Sequence, residues 1–126
     1  MKLDFKYIEP VFTALNSTKE PLLTRGESHI TVISPPEYAV LSKYGNVTID
    51  DINTIALKHN IQGSVFEVVC LGKEDVVISN VRKLVYQIIV RASNLVKIRE
   101  AIFKLYVKQV FLATCHCGFQ LKRCLP

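Results

Sequence analysis

Residues 25–36 read Arg-Gly-Glu-Ser-His-Ile-Thr-Val-Ile-Ser-Pro-Pro. The density of β-branched residues predicts a strand over Ser28–Ser34. Strand alternation puts His29, Thr31 and Ile33 on one face and Ile30, Val32 and Ser34 on the other. Pro35 and Pro36 stop the strand, because proline cannot donate to a ladder. Ser34 can then cap a helix, with the prolines in its opening turn and Glu37 near its positive end. A His and a Thr therefore sit side by side on a strand that runs straight into a helix. An imidazole can move a proton near neutral pH, and a hydroxyl can donate to a phosphoryl oxygen.

C-terminal to this stretch, the predicted helix runs to about Lys43 and ends at Gly45-Asn46. Thr48-Ile49-Asp50-Asp51 is a cap followed by acids, which opens a second helix. Ile52, Ile55, Ala56 and His59 fall on one face of it, and Asn60 and Gly63 bracket its end. Val65–Leu71 is dense in β-branched and aromatic residues and predicts a strand, followed by a turn at Gly72-Lys73-Glu74-Asp75. Val76–Ile78 and Leu84–Arg91 are strands around Ser79-Asn80. The latter is apolar on both faces, which predicts a central place in the sheet. Ser93 caps a helix from Asn94 to about Lys108, with Leu95, Ile98, Ile102, Leu105 and Tyr106 as its apolar stripe and Lys97, Lys104 and Lys108 opposite. Val110–Thr114 reads as a last strand. N-terminal to Arg25, Thr18–Gly26 is a loop, and Val11 to about Ser17 is a short helix after Pro10. Residues 2–9 alternate weakly, as a short strand or the lead-in to a helix. Strands adjacent to strands, with helices interspersed, argue for an α+β fold with a largely antiparallel sheet.

At 126 residues the chain is expected to form one core-bearing domain, and 49% hydrophobic against 21% charged residues excludes a disordered chain. No apolar run approaches the ~18 residues of a membrane helix. Met-Lys-Leu-Asp-Phe-Lys lacks the apolar core of a signal peptide. The expectation is a soluble cytoplasmic protein that makes no contact with a membrane, with the nucleus as the alternative location. Cys70 stands alone and Cys115, Cys117 and Cys124 crowd the end, which is no spread disulfide framework. Cys70 alternates with Phe66 and Val68 and reads as a small core residue. Charge is uneven: residues 1–81 carry seven Lys/Arg and ten Asp/Glu, whereas residues 82–126 carry nine Lys/Arg and a single acid, Glu100. A basic half favours an anionic partner such as RNA; it equally fits a solvated surface.

The run Gly26-Glu27-Ser28-His29-Ile30-Thr31-Val32-Ile33-Ser34-Pro35-Pro36-Glu37-Tyr38 resembles the first motif of the two-histidine (2H) phosphoesterase superfamily. In particular it resembles the 2H domain of Swiss Army Knife RNA-repair proteins. Ile61-Gln62-Gly63 leading to Phe66–Gly72, and Ser93–Glu100, extend the resemblance over roughly residues 1–107. It implies two pseudo-symmetric lobes of largely antiparallel sheet with flanking helices, each lobe supplying a His-x-Thr or His-x-Ser strand across a groove. It implies acid–base catalysis at phosphorus without metal or cofactor, on RNA or a nucleotide carrying a 2′,3′-cyclic phosphate, or on a cyclic nucleotide. His29 is then the general acid or base and Thr31 a phosphate donor.

The second histidine falls to His116, 87 residues on, in Thr114-Cys115-His116-Cys117-Gly118-Phe119. Here Gly118 stands where the family pattern has a hydroxyl two places after the histidine. The other candidate, His59, closes a helix, where a cation suits the dipole and a structural role is favoured. The expected division is thus a 2H-like domain over residues 1–107 and an atypical Cys-rich tail over 108–126, either the remnant of a second lobe or a foreign or truncated end. The functional expectation is a cyclic phosphodiesterase in RNA repair. The alternatives are an inactive RNA- or protein-binding module and a truncated fragment. Zinc at Cys115, His116, Cys117 and Cys124 is disfavoured by non-standard spacing. Arg25 and Lys43 are candidates for a phosphate contact, with a solvated role favoured for each.

Overall fold

The computed structural model describes residues 1–24 and 26–116, with backbone alone at Ile78 and 111–116. Arg25 and the stretch 117–126, including Cys117, Gly118, Phe119 and Cys124, lie outside the described residues. The order is β1 (Lys2–Leu3), α1 (Glu9–Leu15), β2 (Ser28–His29), α2 (Pro35–Gly45), α3 (Ile49–Lys58), β3 (Glu67–Ile78), β4 (Val81–Arg91) and α4 (Ser93–His116), with short 3-10 turns at Phe5–Tyr7 and Ile61–Gly63. Both sheets are two-stranded and antiparallel, β1 with β2 and β3 with β4. The architecture is α+β, as the element pattern predicts.

The core is helical. Leu41 of α2, Val47, Ala92, and Leu95, Ile98 and Ile102 of α4 form its buried cluster. The predicted stripe of α4 therefore faces inward, with Leu105 and Tyr106 packed against the same cluster. On α3, Ile52, Ile55, Ala56 and His59 are all half-buried, as their spacing requires. Two features seat the helices on one another. Gly45, the last residue of α2, lies so close to α4 that a Cβ there would stand 2.3 Å from the Tyr106 ring. Asn94 at the start of α4 donates from Nδ2 to the His59 carbonyl at 2.9 Å and to the Ser64 hydroxyl at 2.8 Å, tying the end of α3 to α4.

Helix starts follow local chemistry. Thr48 caps α3: its N–H and hydroxyl donate to Asp51 Oδ2 at 2.8 Å each, and Asp51 N–H donates back to the hydroxyl at 3.1 Å. These bonds from Thr48 hold the Asp51 carboxyl below its ordinary range. At α2 the Ser34 N–H and hydroxyl both donate to Glu37 Oε2 at 2.8 Å. Asn46 ends α2 in the left-handed conformation, φ 52°.

Four expectations from periodicity are corrected. Val110–Thr114 is no strand; it continues α4, which runs to His116 rather than stopping near Lys108. A short apolar run is ambiguous between helix and strand. Extension of an existing helix costs no new nucleation, and no Gly or Pro interrupts Ser93–His116. The predicted turn at Gly72–Asp75 is mid-strand, so β3 is one strand of twelve residues. Its reversal is at Ser79-Asn80, with φ 52° and 62°. Leu84–Arg91 lies not at the centre of a sheet but in a two-stranded hairpin. Cys70 is exposed rather than buried: a bulge between Val68 and Cys70 breaks the alternation.

A fifth correction, of strand length, concerns the strand at His29. Pairing stops after Lys2↔His29 and Leu3↔Ser28, extended by Ile30 N–H donating to the Met1 carbonyl at 2.9 Å and the Met1 ammonium donating to the Ile30 carbonyl at 3.0 Å. Its partner strand ends where Asp4 turns the chain into the 3-10 turn, accepting from Lys6 N–H at 3.0 Å. Beyond Ile30, side chains replace a ladder: Arg99 Nη1 donates to the Val32 carbonyl at 2.7 Å, and Glu37 takes the Ser34 amide.

Candidate functional site

The β1–β2 pair, the residues after it and the first turn of α2 surround a cavity of about 640 Å³. His29 and Thr31 both line it, and both are exposed. The sequence placed them together on a strand face; in the structure both line the same cavity, and Thr31 stands beyond the strand's end. The cavity's polar lining comes from Lys2, Glu27, His29, Thr31 and Tyr38, the first four of them exposed at the rim. Its interior is apolar, from Leu3, Ile30, Ile33, Ile52, Ile61, Ile98 and Ile102. Such a cleft suits an anionic group at the rim and a flat apolar group within.

Backbone ties hold the His29 strand. The buried Ser28 hydroxyl donates to the Leu3 carbonyl at 3.2 Å. Gln62, in the 3-10 turn after left-handed Asn60, accepts from Lys2 N–H at 2.9 Å. The cross-strand pairing Lys2↔His29 puts these two side chains on one face of the sheet. Sequence reading assigned Lys2 no role, because only the pairing of residues 27 positions apart brings it beside His29. A free ammonium next to an imidazole offers a cation for a phosphate.

The segment carrying Thr31 is clamped from α4. Arg99 reaches Val32, and both of its Nη atoms donate to the Glu37 carboxylate. The Arg99 guanidinium also lies 5.0 Å from the Phe103 ring. These contacts, Arg99 first and then the Ser34 amide and hydroxyl, hold the Glu37 carboxyl down to about 2. Arg99 is raised in turn by Glu37. Arg99 and Glu37 lie 62 residues apart, so the ion pair is legible only in the fold.

Among the described residues, His29 is the only histidine on the cavity. His59 sits at the end of α3, where its carbonyl accepts from Asn94. His116 is the last residue of α4, fourteen residues past Ile102, roughly 21 Å farther along the axis at 1.5 Å per residue; its side chain is outside the described set. Lys43, on α2, stands over the Tyr44 ring at 5.1 Å. Among the described residues no three His, Cys, Asp or Glu side chains gather as a metal site, and no helix is long and apolar enough to cross a membrane.

No curated protein and no solved structure matches the chain. A family model does, and it matches along almost the full length, with His29 and Thr31 inside the matched span. It is described as the Swiss Army Knife, 2H phosphoesterase domain and covers residues 1–121, so the chain belongs to that family of phosphoesterase domains.

Proposed function

We propose that the chain is a phosphodiesterase-type domain acting on 2′,3′-cyclic phosphate ends of RNA or on cyclic nucleotides, in the setting of RNA repair. Membership of a phosphoesterase family supports the general activity. The observation that carries the finer reading is that His29 and Thr31 stand together at the polar rim of a cavity with an apolar interior. Opening of a cyclic phosphate forms one P–O bond to water and breaks one to a ribose oxygen. The attacking water loses a proton and the leaving oxygen gains one. His29 carries one of these transfers, and the Thr31 hydroxyl donates to a phosphoryl oxygen. Lys2 offsets phosphate charge from the same face. The second transfer falls to solvent, because His116, the sequence's candidate for it, ends α4 fourteen residues past the cavity-lining Ile102. The apolar interior receives the base.

A second reading is favoured by the single histidine on the cavity and by the exposed Lys97, Lys104 and Lys108 along α4. In it the chain binds RNA and turns nothing over. One experiment separates the two readings: hydrolysis of a 2′,3′-cyclic nucleotide by the purified chain, beside salt-dependent binding of a short RNA. The catalytic reading expects turnover that falls about 10²–10⁴-fold in His29→Ala and is weakened in Thr31→Ala. Turnover indifferent to His29→Ala overturns it. Binding that weakens steeply with salt, without turnover, supports the binding module.

A further inference from the structure

Among the described side chains, none from Glu67 to Arg91 belongs to the buried core cluster or to the residues packed against it. Yet this hairpin turns Val68, Leu71, Val77 and Ile89 to solvent. A two-stranded ribbon is marginal by itself and is stabilised by further strands. Its two edges differ. β3 carries the bulge between Val68 and Cys70 and the run Lys73-Glu74-Asp75, both of which discourage pairing. β4 is regular for eleven residues and uncharged from Leu84 to Val90.

The register fixes which backbone groups lie on the open edge. Ser79 and Asn80 form a two-residue left-handed turn flanked by the pair Ile78↔Val81. That pair is hydrogen-bonded, and pairs alternate from it. Val81, Lys83, Val85, Gln87 and Ile89 therefore bond to β3. Arg82, Leu84, Tyr86, Ile88 and Val90 point their N–H and C=O groups outward, where no described residue pairs with them.

We propose that this edge of β4 binds β4 of a second copy of the chain, antiparallel about a twofold axis at Tyr86, to make a four-stranded sheet. Tyr86 is the midpoint of Val81–Arg91 and lies in the outward set, so this centre overlaps the whole strand and joins outward groups to outward groups. Tyr86 meets its own copy, Leu84 meets the partner's Ile88, and Arg82 meets the partner's Val90. The apolar row becomes continuous across the axis, and no cation stands directly opposite another. An axis at Gln87 would set Lys83 opposite Arg91 and join groups already used by β3. Arg82 and Arg91 are also partly neutralised within the hairpin, by Asp75 at 3.0 Å and Glu67 at 3.5 Å.

The test is sedimentation of the full chain over a concentration series, with amide exchange followed residue by residue. The expected result is a dimer in which the Leu84, Tyr86 and Ile88 amides gain protection as concentration rises, while Val85 and Gln87 do not change. Leu84→Pro and Ile88→Pro remove only outward N–H groups and abolish the dimer. Tyr86→Glu sets two like charges across the axis while facing its cross-strand partner Lys73 inside the hairpin, and it also gives a monomer, which keeps the test decisive if proline disturbs the hairpin. A monomer at every concentration overturns the proposal, as does a dimer that survives these substitutions. Protection of the same amides that is independent of concentration also overturns it, because the edge is then covered from within one chain.

Discussion

The α2–α4 helices and the β3–β4 hairpin are both rich in apolar residues, yet only the helices bury them. Leu41 is 1% exposed, whereas Val77 is 71% exposed. The difference lies in how each element presents its apolar side. A helical stripe points in one direction, so a single neighbour covers it, and α4 finds that cover in α2 and α3. A ribbon apolar on both faces needs cover on two sides, and among the described residues none of the hairpin joins the buried core. Apolar content thus specifies an element, while burial depends on the number of faces that must be met. The site sits on the well-covered side, where α4 supplies Ile98 and Ile102 to the cavity and Arg99 to the clamp.

Paired substitutions can break or sharpen this contrast. The largest effect is expected in the core: Leu41→Ala should cost about 2–5 kcal/mol by chemical denaturation, and Val77→Ala no more than about 0.5 kcal/mol. Equal losses would mean that the hairpin is covered after all. Glycine gives a second pair. Gly45→Ala drives a methyl into the Tyr106 ring, and overpacking of this kind costs about 1–3 kcal/mol. At Gly72 the nearest atom is the flexible Gln87 Cγ at 3.3 Å, so Gly72→Ala should leave the melting temperature almost unchanged.

The smallest effect is electrostatic. The Glu37 carboxyl is lowered from 4.5 to about 2. Its contribution is therefore complete above pH 4.5 and is lost as pH falls through about 2. Because both partners are partly exposed, this amounts to about 1 kcal/mol. Melting temperature should slope downward across that acid window, and Glu37→Gln should flatten the slope. In the more exposed Asp75–Arg82 pair of the hairpin, Asp75→Asn should leave the melting temperature at neutral pH almost unchanged.

Much of the helical half was legible in the sequence. The Leu95, Ile98 and Ile102 spacing, the Thr48 cap and the Ser34-Pro35-Pro36-Glu37 start each depend on residues within two turns of one another. The strand at His29 was legible in place but not in length. Its ladder ends because β1 is short, and that depends on Asp4 rather than on any residue near His29. The hairpin was legible in its reversal at Ser79-Asn80. Its unbroken run through Gly72–Asp75 was not, because cross-strand pairing with Leu84–Gln87 overrides the local turn preference.

At the site, local sequence determined that an imidazole and a hydroxyl stand two residues apart just before a capped helix. It also determined the stripe that packs α4 into the core. Only the tertiary structure decided that Lys2 lies beside His29, that Arg99 clamps the segment bearing Thr31, and that isoleucines from four separate stretches line the interior. Short-range order follows from propensity, capping and periodicity, which act over a few residues. The first two of these juxtapositions join residues 27 and 67 positions apart, and all of them arise only when strands pair and helices pack.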